Sequence, residues 1–278
     1  MPLKIVAPAA NAVFQIATAP SWPAIPFRTD GSGAHAWQWR ISWGNFSRSG
    51  NATTTGNQWD AGPVVTNLGG ALTVTAKASA GVSAPLTVRI SGANPSAQEV
   101  TNHLNTRPNS NGFDAILQHE TQKRHFGNNG EPIKSFDNGF GMAQLTNPVP
   151  SYEQVWNWKS NVEGGLSLFA QKVAAARAYL TQSGRSFTDS QLQYEAVSRW
   201  NGGSYHAWDD KAQAWVRNPN VLCDTATGNI GWEMTDPANQ GKTEAQLHAR
   251  DGASYHGSPS AGTHWRYFGV CYADRVLG

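Results

Sequence analysis

Charge is scarce in this 278-residue chain: Asp, Glu, Lys and Arg make up 14% of it, and the net charge is only +2. Ordinary globular proteins carry about 25% charged residues. So small and dispersed an excess excludes the clustered basic face of a nucleic-acid-binding protein. Long apolar runs are also missing, and none approaches the ~18 residues of a membrane span. The Gly-rich stretch Asn138-Gly139-Phe140-Gly141 is not followed by Lys-Ser/Thr, so no phosphate-binding loop is present. With two cysteines there is no disulfide framework; Cys223 and Cys271 either form one bridge in an oxidising compartment or remain buried thiols. The opening Met-Pro-Leu-Lys has no apolar core and no small-residue cleavage site, so a secretory signal peptide is not expected.

What the chain does have is 39% hydrophobic residues, 28 Gly and 12 Trp. That supplies a packed core, and tryptophan serves both cores and sugar-binding surfaces. Its length fits one large domain or two modest ones. Residues 1–95 carry a period-two pattern. Trp37, Trp39, Ile41 and Trp43 alternate with Gln38, Arg40 and Ser42; Leu72, Val74, Ala76 and Ala78 alternate with Thr73, Thr75 and Lys77; Leu86, Val88 and Ile90 alternate with Thr87 and Arg89. Residues 47–56 and 80–85, rich in Gly, Asn, Ser and Pro, read as the loops between such strands. The expectation is a small antiparallel sandwich of immunoglobulin-like type.

Gly92-Ala93-Asn94-Pro95 closes this region, and Ser96-Ala97-Gln98-Glu99 is a capping box that opens a helix. Beyond it the period becomes helical. Leu166, Phe169, Val173, Ala176 and Leu180 form one stripe; Leu192, Ala196, Val197 and Trp200 form a second, preceded by Thr188-Asp189-Ser190 as cap candidates. Residues 202–264 read as loop-rich, with little periodicity.

One carboxylate falls on an apolar stripe. In Phe113-Asp114-Ala115-Ile116-Leu117-Gln118-His119-Glu120, a helix places Glu120 in line with Phe113, Ile116 and Leu117. Burial there would raise its pKa, the condition of a general acid at neutral pH. The bland alternative is a helix-end Glu that swings into solvent or pairs with Lys123 or Arg124.

Four downstream segments follow Glu120-Thr121 in order. They are Gly141-Met142-Ala143-Gln144, Asn161-Val162-Glu163-Gly164-Gly165, Trp200-Asn201-Gly202-Gly203, and the closing Tyr272-Ala273-Asp274-Arg275-Val276-Leu277. In this order the chain, over about residues 97–278, resembles the catalytic domain of soluble lytic transglycosylases, shared by goose-type lysozymes. That family carries Glu-Ser at a helix end, a Gly-Leu-Met-Gln segment, an Asn-(Ile/Val)-x-x-Gly helix start, an Ala-Tyr-Asn-(Ala/Gly)-Gly helix end and a terminal Tyr aimed at the Glu. Here Thr121 replaces the Ser, Ala143 the Met and Trp200 the Tyr, and the segment 223–264 has no counterpart. The resemblance implies an α+β, multidomain chain: an immunoglobulin-like β-sandwich at 1–95, for docking or binding, and a mostly α-helical lysozyme-like domain at 96–278.

It also implies an activity, cleavage of the β-1,4 bond between N-acetylmuramic acid and N-acetylglucosamine in peptidoglycan. Glu120 would protonate the glycosidic oxygen, the 2-acetamido group would assist departure, and Glu120 would then take the C6 hydroxyl proton as a 1,6-anhydro ring closes. Thr121, Met142, Gln144, Asn201 and Tyr272 would bind or orient, with no metal and no cofactor. A hydrolytic muramidase, or a phage-type endolysin, is the near alternative. Hydrolysis needs a second carboxylate to activate water, and Asp137 or Glu131 is best placed in sequence. A β module before such a domain also resembles wall-degrading effectors of type VI secretion. That implies synthesis in the cytoplasm, export by a route without a signal peptide, and action in a target cell's periplasm, with a secretion-machine component and an immunity protein as partners.

Two other classes of function compete. A zinc peptidase fails on spacing: His119 and His125 are six apart where the helical motif needs four, while His248, His256 and His264 lie in a loop-rich region. A glycan-binding protein that does not cut would have no use for an acid on an apolar stripe.

Overall fold

The computed structural model describes residues 2–278. In chain order its strands are β1 Ile5–Ala7, β2 Val13–Ile16, β3 Pro26–Thr29, β4 His35–Trp43, β5 Phe46–Thr54, β6 Gln58–Asp60, β7 Gly70–Ala78, β8 Gly81–Val82, β9 Leu86–Gly92, β10 His206–Asp209, β11 Ala214–Arg217, β12 Val221–Cys223, β13 Ile230–Glu233 and β14 Trp265–Tyr267. Its helices are α1 Ala97–Asn105, α2 Phe113–Thr121, α3 Tyr152–Trp156, α4 Trp158–Leu180, α5 Asp189–Asn201, α6 Glu244–Asp251 and α7 Gly269–Leu277. Contacts divide the chain into two compact units, Met1–His103 with Glu120–Gly165, and Leu104–His119 with Leu166–Gly278.

The first unit holds two sheets, one ordered β1-β3-β6 and the other β2-β9-β7-β4-β5, with β8 on β7. Pairing is antiparallel except for β2 on β9. The alternation read from residues 37–43, 72–78 and 86–90 becomes β4, β7 and β9, whose inward residues Trp37, Ile41, Leu72, Val74, Val88 and Ile90 are fully buried. Trp37 stacks on Trp59 from the facing sheet, with ring centroids 5.8 Å apart. Residues 47–56, read as a loop, are mostly edge strand β5. Its inward positions opposite Trp39 and Trp37 are Gly50 and Ala52, so no apolar period is visible. Gly50 is required there, because a Cβ would lie 2.8 Å from the Trp39 ring.

The core of this unit does not stop at the sheets. Phe126, Phe140, Tyr152, Val155 and Trp156 share one buried cluster with Trp37, Leu72 and Ile90. Trp156 lies flat against Gly69, where a Cβ would come within 2.0 Å of the indole, and Tyr152 donates its hydroxyl to the Gly69 carbonyl at 2.6 Å. Phe126 covers Gly92 in the same way. The capping box at Ser96 forms as read, with the Ser96 N–H donating to Glu99 and the Glu99 N–H donating to Ser96 Oγ.

In the second unit Phe113, Phe169 and Trp200 pack together at 5.4–6.1 Å between ring centroids. Helix α5 starts at a complete Thr188/Gln191 capping box. It packs on α7 through Gly269, whose missing side chain admits the Ser198 and Gly202 carbonyls; a Cβ would lie 2.2 Å from each. Buried Glu195 accepts from Arg199, from the Tyr205 and His206 N–H groups and from His206 Nδ1. Cys223 and Cys271 form a disulfide, the bridged alternative of the two.

The expected fold class needs correction. The chain is 31% helix and 26% strand, with several sheets and short helices, so it is α+β but does not contain a mostly α-helical lysozyme-like domain. Much of the difference lies at 202–264, read as loop. Here the β10–β11 hairpin, β12, β13 and α6 form, and β14 just beyond joins β12 and β13 in a sheet that shares with α6 the buried Ile230, Trp232, Leu247 and Trp265. Strands of three or four residues are too short to display a period. Among the described residues no helix is long and apolar enough to cross a membrane.

Candidate functional site

The Gly-rich segment of the first unit is a tight turn held from three sides. Gly141 has φ +70°, and a Cβ would meet the His125 ring at 2.4 Å and Asn161 Nδ2 at 2.7 Å, so only glycine fits. Asn161, fully buried near the start of α4, accepts the Ala143 N–H at 2.8 Å and donates to the Phe140 carbonyl at 2.9 Å. His125, also fully buried, donates from Nε2 to the Val155 carbonyl at 2.9 Å, and its Nδ1 accepts the Met142 N–H at 3.1 Å. These contacts fix the neutral Nε2–H tautomer, and burial pushes the imidazole pKa down to about 4. From the third side Thr121, the last residue of α2, donates its hydroxyl to the Met142 carbonyl at 3.1 Å. The segments around Thr121, Gly141 and Asn161, separate in sequence, therefore meet in one hydrogen-bonded assembly.

The burial expected of Glu120 is not found. Phe113, Ile116 and Leu117 are buried, but Gln118, His119 and Glu120 are exposed. The stripe is covered only over the first two turns of α2, and left-handed Gln122 and Lys123 end the helix directly after Thr121. Lys123 donates to Thr101 and Arg124 to Asn128. Met142 is fully buried, and its backbone N–H and C=O serve His125 and Thr121. Gln144, with φ +49°, folds its amide back to donate to the Gly141 carbonyl at 2.6 Å.

The two candidate second carboxylates differ. Glu131 is held by Arg89 at 2.6 Å and also accepts from Asn129. Asp137 sits on an exposed loop, where the Ser135 hydroxyl and then the Gly139 N–H hold its carboxyl below the usual aspartate range.

In the second unit, Asn201 ends α5 just before left-handed Gly202 and Gly203. Tyr272 on α7 is buried, and the His119 ring meets it edge-on at 5.5 Å. His248 bonds Asp224 through Nδ1 at 2.6 Å, and His264 bonds Asp236 at 3.0 Å. No group of three or more His, Cys, Asp or Glu that could hold a metal ion occurs among the described residues.

Sequence reasoning missed His125 and Asn161 as the clamps of the turn. Asn161 stood inside a quoted motif without a role, and a lone histidine gives no periodic signal. No protein-family model matches this chain, and no curated protein matches it either.

Proposed function

We propose that the protein cleaves peptidoglycan glycan strands at the N-acetylmuramic acid–N-acetylglucosamine β-1,4 bond, as a lytic transglycosylase with Glu120 as acid and then base. The observation that carries this reading is the hydrogen bond from Thr121 to Met142. It ties the residue after Glu120 to the Gly-rich turn that Asn161 and His125 clamp, so three motifs of the resemblance act as one unit. The reading rests on this assembly and not on fold class. Glu120 is exposed, and its proton chemistry in this reading depends on what the substrate covers when bound.

Gln144 is the proposed sugar-binding residue within the unit that holds Glu120. The Cys223–Cys271 disulfide is in keeping with work in an oxidising compartment such as a periplasm. Delivery there as an antibacterial effector, with an immunity protein as antagonist, is part of the same proposal. A hydrolytic muramidase is favoured by one feature, the exposed carboxylate of Asp137 on the loop just before the Gly-rich turn.

Mass spectrometry of fragments released from purified peptidoglycan separates these readings. Wild type should yield 1,6-anhydro-muramic acid ends, lighter by one water than hydrolysed ends, and Glu120→Gln should yield no fragments while keeping the native circular dichroism spectrum. Reducing muramic acid ends would replace the transglycosylase by a muramidase, with Asp137 as the next residue to change. Undiminished release by Glu120→Gln, or no release by wild type, would reject the proposal.

A further inference from the structure

The outer face of the larger sheet in the first unit carries a shallow, polar depression. Side chains of β5, β4 and β7 align there in two cross-strand rows, Ser49–Arg40–Thr73 and Asn51–Gln38–Thr75. These six residues, with Trp39 and Gly50 between the rows, line the depression, whose volume is about 490 Å³. Strands lie about 4.8 Å apart and alternate residues along a strand about 6.8 Å, so the patch measures about 10 by 7 Å, the footprint of one or two sugar rings. The Arg40 row continues into β9, where Thr73 Oγ1 and Thr87 Oγ1 are hydrogen-bonded at 2.8 Å.

The charges on these strands are one-sided. β4, β5, β7 and β9 contain Arg40, Arg48, Lys77 and Arg89, and no Asp or Glu. Arg48 is neutralised by Glu153 at 3.2 Å and Arg89 by Glu131 at 2.6 Å. Arg40 makes no ion pair or side-chain hydrogen bond among the described residues, and it is exposed at the centre of its row. A guanidinium presents a planar fork that matches a carboxylate in two parallel hydrogen bonds. The hydroxyls and amides around it offer both donors and acceptors, which suits sugar hydroxyl and acetamido groups. The one aromatic at the depression, Trp39, is buried, so the face offers no large exposed anchor of the kind protein interfaces use. Arg40 and Lys77, the two cations of these strands with no ion pair among the described residues, are also too few for a nucleic-acid backbone.

We infer that this sheet face binds an acidic glycan, an amino-sugar strand bearing carboxylates, with Arg40 as the carboxylate receptor and Gln38, Asn51, Thr73 and Thr75 as sugar contacts. This deepens the proposed function by giving the β-sheet region a hold on the same polymer, and it can fail independently of cleavage.

The test is co-sedimentation of full-length protein with purified peptidoglycan sacculi. It is run in the Glu120→Gln background so that the polymer stays intact, with insoluble chitin as the uncharged amino-sugar control. Arg40→Glu should weaken binding to sacculi by about tenfold, the scale of one lost charge-assisted pair, and leave chitin binding unchanged. Gln38→Ala with Asn51→Ala should weaken binding to both polymers. Lys211→Glu, an equal change of net charge at an exposed turn elsewhere, should leave sacculus binding unaltered. Unchanged binding in Arg40→Glu, an equal loss in Lys211→Glu, or no sedimentation of the parent protein with sacculi would each overturn the inference. Cleavage is read separately with Glu120 intact: an Arg40→Glu protein that still releases fragments but no longer sediments supports the binding site. A protein that sediments through Arg40 but never cuts removes the enzyme reading and leaves this one standing.

Discussion

Acid should destabilise this protein through His125 in a defined pH window. The imidazole is fully buried, and both ring nitrogens are engaged by backbone groups, Nε2–H with the Val155 carbonyl and Nδ1 with the Met142 N–H. Its other close neighbours are the Phe126 ring, edge-on at 4.6 Å, and Asn94, which accepts its backbone N–H. No carboxylate is among these contacts to offset a positive charge. With a folded pKa of about 4 against an ordinary value of 6.5, the unfolded chain binds this proton first as pH falls. The stabilisation is therefore complete above about pH 6.5 and is lost progressively down to about pH 4. That interval is worth about 3 kcal/mol at roughly 1.4 kcal/mol per pH unit, a large part of the 5–15 kcal/mol that holds a typical domain.

Urea denaturation at half-unit steps from pH 7.5 to 4.0, in wild type and His125→Gln, measures this directly. The Gln side chain keeps a donor and an acceptor but takes up no proton. It should cost about 2 kcal/mol at pH 7 through lost ring packing, and its stability should fall less steeply between pH 6.5 and 4 by the amount just given. Asp137, Asp236 and Asp251, whose carboxyls are held below the usual aspartate range, also lose stability in acid. They do so at lower pH and equally in both proteins, so the difference between the two curves isolates the histidine. Parallel curves would refute the argument that His125 is neutral because it is buried.

Two further outcomes follow from the contacts described. Replacing both Cys223 and Cys271 by Ser opens a loop of 48 residues in the denatured chain, which should lower the urea-derived stability by about 2–4 kcal/mol; a midpoint indifferent to the change, or to reducing agent, would count against a structural role. Thr121→Val keeps the shape but removes the donor to the Met142 carbonyl. It should cost about 1 kcal/mol of stability and reduce fragment release more than Thr121→Ser, a pattern that equal activities would contradict.

The long strands were legible because seven to nine residues suffice to display a period of two, as in β4, β7 and β9. Helix starts were legible at Ser96, where a capping box was read, and at Thr188, among the cap candidates, whereas the equally complete boxes Ser151/Gln154 and Thr243/Gln246 open helices too short to show a stripe. β5 was hidden because an edge strand covering large tryptophans wants Gly50 and Ala52 where a strand pattern wants valine. The strands between 206 and 267 were hidden by brevity. The burial of Glu120 was misread because spacing gives the face of a helix but not where its covering wall ends. That residues 126–156 pack against the sheets depends on Gly69 and Gly92 leaving flat seats for Trp156 and Phe126, a match between distant positions that leaves no periodic trace.

That shared core bears on how the candidate site is kept in shape. The Gly-rich turn has little regular structure of its own, and its order comes from side chains anchored elsewhere. His125 reaches the Val155 carbonyl beside Trp156, which is seated on the sheet through Gly69. Asn94, two residues past the end of β9, accepts the N–H groups of His125 and Phe126 at 2.7 and 2.8 Å and donates to the Phe126 carbonyl. The end of the larger sheet is thereby connected through Asn94 and His125 to the backbone of Met142, and through Met142 to Thr121 beside Glu120. A turn clamped in this way holds its geometry without a ligand, which is what the proposed cleavage would demand of its scaffold. Changes in the sheet core below Asn94 should therefore register at the turn before they unfold the unit.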